Sequence, residues 1–405
     1  MKIAMVSAHP SLLDEARGPH IAGLSSALSR HGHDVTVYTR RDDPDVPSRV
    51  RTDRGYEVVH VPAGPATPLA DPLSHTGAFI SFLLQEWAAS PPDVVHGHGW
   101  MSGMVSVLGG RRVRVPVVQT FHSLAAVGQR RRGSDAGRDE RGRIEVLVGK
   151  EAAHIAAASS AEMAELIRAG VDRAKISVVS SGVDIDRFTP EGAAAGRGRL
   201  YRVVTTASLL PHRDIKAFIT AFSGLDDAEL VIAGRLADHP AQLREHAERL
   251  GVGDRVVFVG AVAHSAMPAL LRSADAVVCA PSHEPSGAVA LEAMACGAPI
   301  VATAVGALAD VVVNGVTGLL VPPGEPESLS RALRSLLLDD TLRSQLAVAG
   351  RDRVTARYSW SRVAEDVLRA YTRAGAQKPP TTKGPFIHHR STKGPFMHNV
   401  SSSEG

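Results

Sequence analysis

Short apolar runs rich in β-branched residues alternate with helix-length amphipathic stretches along nearly the whole chain, the pattern of parallel strands joined by crossover helices. In the first half it predicts strands at Lys2–Ser7, Asp34–Thr39, Glu57–Pro62, Asp93–His96, Val115–Thr120, His154–Ala158 and Ile176–Val179. Helices fit between them, including His20–His31 and Ala161–Ala169, the second closed by Gly170 as its C-cap. A small-residue segment, Gly192–Gly198, interrupts the rhythm. Strands are then expected at Tyr201–Ala207, Glu229–Ala233, Val256–Val259, Ala276–Ala280, Ile300–Thr303 and Gly318–Val321. Helical periodicity closes the pattern over Tyr358–Ala374, with Trp360, Val363, Val367, Leu368 and Tyr371 as its apolar set.

The fold class is therefore α/β. At 405 residues the chain exceeds the roughly 250–300 that one core serves, so two domains are expected. The first spans 1–191, a linker 192–198, and the second 199–357. A helix at 358–374 follows, with packing back on the first domain as one option. Residues 375–405 hold a duplicated Thr-Lys-Gly-Pro-Phe, at Thr382–Phe386 and Thr392–Phe396, and are expected to form a disordered tail. Its His388, His389 and His398 offer metal ligands without fixing their geometry.

Composition narrows the function classes. Aromatic residues make up 4% and the net charge is only +3, which argues against a nucleic-acid stripe and weakly favours an anionic ligand. No run approaches the roughly 20 apolar residues that span a bilayer, so no integral membrane segment is expected and the chain is read as cytoplasmic. Cys279 and Cys296 are read as buried free thiols. The polar segment Gly128–Arg143, with Arg130–Arg132, Asp135, Arg138, Asp139, Glu140 and Arg141, is read as a loop, either a solvated surface loop or a positively charged lid on the acceptor side.

The most specific stretch is His283–Pro299, which follows the strand Ala276–Ala280. A strand, a glycine-containing turn and a helix opening near Gly287 would aim backbone N–H groups and a positive dipole end at one point, which suits a diphosphate. Glu284 stands before that helix and Glu292 about two turns from its start. One carboxylate could accept from donor-sugar hydroxyls while the other accepts from a ribose diol. Taken singly, Glu284 reads as an ordinary helix-start acid and Glu292 as a solvated residue.

Those residues carry a resemblance. The block Glu284–Glu292 resembles the paired-glutamate motif of retaining GT-B glycosyltransferases, and Ser282–Gly297 resembles family 4 in particular. The likeness runs to about Ala374 through Asp93–His98, Gln119–His122, Gly182–Asp184 with Phe188, and Asn314–Val321. It implies two facing Rossmann-like domains with an interdomain cleft, the second binding a nucleotide sugar and the first most of the acceptor. Glu292 would hold the ribose. Glu284, with backbone of Ser286, Gly287 and Ala288, would hold the hexose and its phosphate, and His122 would stand near the transferring sugar. The implied catalytic residues are His122, Arg213 and Glu284; His98, Trp100 and His122 would contact the acceptor.

Two departures stand out. Family members commonly carry an Arg and, five residues on, a Lys that neutralise the leaving diphosphate, where this chain has Ser208 and Arg213. Arg213 can act as a planar fork in place of the Lys, whereas Ser208 can donate only a neutral hydrogen bond. A family Gly-Gly pair near the N-terminus aligns with Glu15-Ala16, leaving Gly18 nearby.

The resemblance implies retention of anomeric configuration by front-face substitution, no metal and no cofactor beyond the donor, a UDP-sugar of glucose or N-acetylglucosamine being preferred. Cyclitol-modifying members, including the transferase that starts mycothiol synthesis and those that assemble aminoglycosides, are similar around His98–Gly103 and Thr120–Leu124. An aminocyclitol acceptor in antibiotic biosynthesis is the specific expectation, with Asp14, Glu15 and Glu86 available to ammonium groups. A phosphorylated cyclitol or cell-envelope glycan, or a catalytically weak nucleotide-sugar-binding protein, are the alternatives. Oligomeric state is not legible in the sequence.

Overall fold

Continuous apolar runs need cover on both faces, and the first strand has it: every residue of β1 (Lys2–Ser7) after Lys2 is buried. The computed structural model describes residues 1–8, 18–41, 43–64, 73–125, 140–206, 212–234 and 240–376. Asp14, Glu15, Ser208, most of the Gly128–Arg143 segment and the tail beyond Ala376 lie outside these residues, as do the side chains of His212 and Arg213.

After β1 come β2 (Asp34–Arg40), β3 (Arg49–Arg51), β4 (Glu57–Val61), β5 (Val94–His98), β6 (Val117–Thr120), β7 (His154–Ala157) and β8 (Ile176–Val178). They form an eight-stranded sheet in the order β3-β4-β2-β1-β5-β6-β7-β8. All neighbours are parallel except β3, which runs antiparallel to β4 at the edge. The second group, β9 (Tyr201–Thr206), β10 (Ala228–Ala233), β11 (Val256–Gly260), β12 (Ala276–Cys279), β13 (Ile300–Thr303) and β14 (Leu319–Val321), forms a parallel six-stranded sheet ordered β11-β10-β9-β12-β13-β14. Two Rossmann-like sheets with crossover helices are the GT-B architecture expected from the sequence.

Core residues follow the same division. Val179 packs beneath the first sheet with Ile3, Met5 and Val94, whereas Val183 and Phe188 already belong to the core of the second with Val204 and Val277. Arg351 ties this crossing to the second unit by donating to the carbonyls of Phe188 and Ala295 at 3.1 and 2.9 Å.

The closing helix, Trp360–Arg373, returns to the first sheet: Val363, Ala364, Val367 and Tyr371 are buried among residues of β1, β2 and the helix Gly18–Arg30. Trp360 is seated between two glycines, because a Cβ at Gly23 or Gly182 would lie 2.3 or 2.5 Å from its ring. The outgoing and returning crossings pair side by side, with Val183 N–H donating to Tyr358 O at 2.9 Å and Val183 bridging Ser359. Among the described residues, no helix is long and apolar enough to cross a membrane.

Element ends differ from the sequence expectations by a few residues, and one strand was not expected. The Arg-Val-Arg of β3 has too little apolar character to register, and it is held by the Arg49–Glu57 ion pair across to β4. Residues 140–143, expected as loop, form the first turn of the helix Glu140–Glu151. Arg141 there is fixed rather than solvated, donating to Glu145 Oε1 at 2.7 Å and to Ser123 O at 2.8 Å. Cys279 and Cys296 are both free and buried, and burial pushes both thiols up, Cys296 to about 12.

Candidate functional site

Strand order reverses once in each sheet, between β1 and β5 in the first and between β9 and β12 in the second. In open parallel sheets such points leave a crevice beyond the carboxyl ends of the strands. Of the residues singled out in the sequence, Glu284 and Glu292 follow β12 in the second sheet, and His98 and His122 stand at the ends of β5 and β6 in the first.

In the second sheet, β12 runs into the turn at 280–287, and Gly287 caps the helix Ala288–Ala295 with a left-handed φ of 68°. Glu284 is 3% exposed, and its Oε1 accepts from Ser286 N at 2.9 Å, Ser286 Oγ at 3.0 Å and Gly287 N at 2.9 Å. Ala288 N donates to Ser286 Oγ at 3.3 Å. The N–H groups expected to meet a phosphate are thus engaged by the protein itself, because a carboxylate two or three residues upstream reaches the orphan donors of the helix start. The acid and the turn are one preformed unit. A cavity of about 330 Å³ borders it, lined by Asp214, Phe218, Ser282, Thr303 and the Pro322–Pro326 segment. Asp214 Oδ2 accepts from Ser282 N and Oγ at 3.0 Å each, anchoring the start of the turn.

Glu292 lies on the same helix, and its Oε1 is 3.2 Å from Nε2 of His264. Arg187 donates to His264 Nδ1 at 2.9 Å, so that nitrogen accepts and the proton sits on Nε2, facing Glu292. The imidazole also packs edge-on against Phe188, with ring centres 5.2 Å apart. Sequence reading missed His264 and Arg187. They stand 28 and 105 positions from Glu292, Arg187 beside the Gly182–Asp184 motif and His264 in a segment without one, so only the fold brings them to it.

In the first sheet, histidines from neighbouring segments converge. His98 ends β5, His122 follows β6, and His20 lies on the helix after β1. His98 Nδ1 is 3.1 Å from His122 Nε2, and the His20 ring is 4.9 Å from that of His122. His122 holds a left-handed φ of 63°, uncommon for a residue with a Cβ and a sign of local constraint. Behind them, His96 Nδ1 lies 2.9 Å from Tyr371 Oη and its Nε2 lies 3.0 Å from Thr120 Oγ1. Burial lowers His20 to about 4 and His96 to about 3, and holds His98 well below the usual imidazole range, so all three are neutral at ordinary pH. His98 is 3% exposed, with Nε2 buried and without a hydrogen-bond partner. Trp100 opens the helix Trp100–Val113 and packs against the apolar cluster of Phe121, Leu124 and Val148. Of the residues expected around the acceptor, His98 and His122 are brought together while Trp100 serves the packing beside them. Glu86, expected to be available to an ammonium group, is ion-paired with Arg49.

One further acid was missed. Ser159 caps the helix Ser160–Arg168 by accepting from Glu162 N at 3.1 Å, and Glu162 Oε2 accepts from Ala158 N at 2.6 Å. Its Oε1 is buried without a partner, and burial raises the carboxyl to about 7. The same helix start touches the second unit, where Asp310 Oδ2 accepts from Ser160 N at 2.7 Å.

Family models match both halves of the chain. A glycosyl transferase 4-like domain matches residues 18–182, and the model for glycosyl transferases group 1 matches 196–353. A protein of Xylanimonas cellulosilytica named D-inositol 3-phosphate glycosyltransferase is 35% identical over 93% of this chain and 98% of its own length. One of the same name from Geodermatophilus obscurus is 33% identical over 93% and 90%. Among solved structures, sucrose-phosphate synthase from Thermosynechococcus elongatus superposes with a TM-score of 0.80 at 26% identity, covering 93% of this chain and 99% of that one. Anabaena HepE in complex with UDP and glucose shares the fold at a TM-score of 0.71 and 20% identity, over 92% and 99%.

Proposed function

Since the chain belongs to the group 1 glycosyltransferases, we propose that it moves a hexose or hexosamine from a nucleoside diphosphate, a UDP-sugar first among them, to a phosphorylated cyclitol. The observation that carries the acceptor is near-full-length similarity, 35% over 93% of the chain, to a relative named for D-inositol 3-phosphate. This replaces the aminocyclitol as the favoured acceptor. The engagement of Glu86 by Arg49 also removes one of the acids that an ammonium group would have used.

In this reading the donor lies across the carboxyl ends of β9 and β12, with the hexose at Glu284 and the ribose at Glu292. The preformed Glu284 turn supports the assignment, since a carboxylate already fixed by its own backbone donors has less conformational freedom to lose on meeting a sugar. The Arg187–His264 pair would orient Glu292 toward the ribose hydroxyls. Arg213 and Ser208 would face the leaving diphosphate, and His122 the transferring sugar and the acceptor hydroxyl.

Chemistry is proposed as front-face substitution with retention: the acceptor oxygen bonds to the anomeric carbon, the bond to the diphosphate oxygen breaks, and that oxygen takes the acceptor proton. Atoms and charge balance without a metal. Positioning of two reactants can supply roughly 7–11 kcal/mol of such a barrier.

The test is a matrix of UDP- and other nucleotide sugars against inositol 3-phosphate, unphosphorylated inositol and an aminocyclitol, with the product's anomeric configuration read by NMR. Turnover only with the phosphorylated cyclitol and a retained anomer is expected. Preference for the aminocyclitol sinks the acceptor assignment, and an inverted product sinks the mechanism. Donor binding with no transfer to any acceptor would favour a binding protein.

A further inference from the structure

We propose that His20, His98 and His122 form a binding site for a borderline transition-metal ion of the Zn²⁺ or Co²⁺ class, at the carboxyl edge of the first sheet. One ring nitrogen from each residue lies within 4.8 Å of the others. Two nitrogens bound to a tetrahedral zinc at about 2.0–2.1 Å stand about 3.3 Å apart. The His98 Nδ1 and His122 Nε2 pair, at 3.1 Å, is already at that separation.

His20 needs the largest adjustment, and it has the freedom to make it. Its Nδ1 rests on Ser181 Oγ at a long 3.3 Å. With Nδ1 on the serine hydroxyl, Nε2 is left for the ion, the arrangement in which an oxygen partner orients a ligating imidazole. His98 ends β5, His122 follows β6 and His20 lies on the helix after β1, so the sheet itself sets their spacing. A chance cluster on one flexible loop would have no such support.

Ligand chemistry selects the class of ion. Three imidazoles without a carboxylate suit Zn²⁺, Co²⁺, Ni²⁺ or Cu²⁺, whereas Mg²⁺ and Ca²⁺ demand oxygen. Three protein ligands also leave a fourth position open to water or to a substrate oxygen. Resting on the role proposed for His122 in transfer, occupancy withdraws that imidazole from the substrates, so the ion slows the reaction. The binding claim stands apart from that role.

Full-length protein stripped with chelator and titrated with Co²⁺ should take up one ion with the ligand-field absorption of a nitrogen-ligated, four-coordinate site. The variants His20→Ala and His20→Phe should each weaken it at least tenfold, the phenylalanine keeping the aromatic contact with Trp360 so that loss of fold is not mistaken for loss of a ligand. A variant with His388, His389 and His398 all changed to Ala controls for the tail. Absorption unchanged in both His20 variants, or lost only with the tail histidines, overturns the site. If transfer is found, Zn²⁺ should inhibit the parent and spare His20→Phe; Co²⁺ binding without inhibition would leave the site standing and overturn only the role given to His122.

Discussion

A Cβ at Gly306 would lie 2.0 Å from the carbonyl oxygen of Glu284. The same oxygen accepts from Ala307 N at 2.9 Å, so the loop after β13 holds the acid's backbone in place through a contact that only glycine permits. Gly306 also has a left-handed φ of 51°. Gly306→Ala is therefore expected to displace Glu284, and misplacement of about 1 Å at a reacting centre costs on the order of 10²-fold in rate. Steady-state kinetics should show kcat/KM falling by about that factor while circular dichroism stays native; a variant with parental kinetics would deny Glu284 its place in the reaction.

The imidazole of His264 carries a separate expectation. If it orients Glu292 toward the ribose, His264→Ala should raise the donor KM about tenfold, the equivalent of about 1.4 kcal/mol, with kcat changed little. Replacement by Gln, whose amide can still donate to the carboxylate, should restore part of the loss. A fall in kcat at constant KM would instead mean that this corner acts on the leaving group.

Glu162 makes stability depend on pH. Its carboxyl is raised from 4.5 to about 7 by burial, so between those values the folded chain holds a proton that the unfolded chain has released. Stability from this group is full below about 4.5 and declines as pH rises through about 7. Glu162→Gln keeps an acceptor for Ala158 N–H and removes the ionisation. Chemical denaturation should find the variant more stable than the parent above pH 7 by at most about 3 kcal/mol, and nearly equal to it at acid pH. An advantage independent of pH would contradict the assignment.

Packing at the closing helix predicts a non-additive pair. Gly23→Ala sets a methyl 2.3 Å from the Trp360 ring and should cost about 1–3 kcal/mol. In a Trp360→Ala background the clash is gone, and the same change should be neutral or stabilising by about 0.5–1 kcal/mol, as expected for alanine over glycine inside a helix. A double-mutant denaturation cycle measures the difference. Equal effects in both backgrounds would place the ring elsewhere.

Much of the fold was legible because buried parallel strands carry continuous β-branched runs, as in Val35–Val37 and Val277–Val278, and the periodicity changes sharply at each helix. The Glu284 turn was legible for a different reason: all of its parts, acid, glycine and helix start, lie within one short segment. His264 and Glu292 show where that ends. Their contact joins a conspicuous helix to a segment with no motif of its own, and no local pattern encodes it. The capture of Ser286 and Gly287 N–H by Glu284 was likewise hidden, since a sequence displays the donors and the acid but not which of them meet first. β3 escaped notice because an edge strand held by an ion pair needs no hydrophobic signature.

Lacing the outgoing strand to the returning one through Val183, Tyr358 and Ser359 has a mechanical result. Sliding one half past the other would shear that bond, while swinging about it would leave the bond intact. Spans measured close to the lace should scarcely alter as substrates come and go, and those at the far lip of the crevice should alter most.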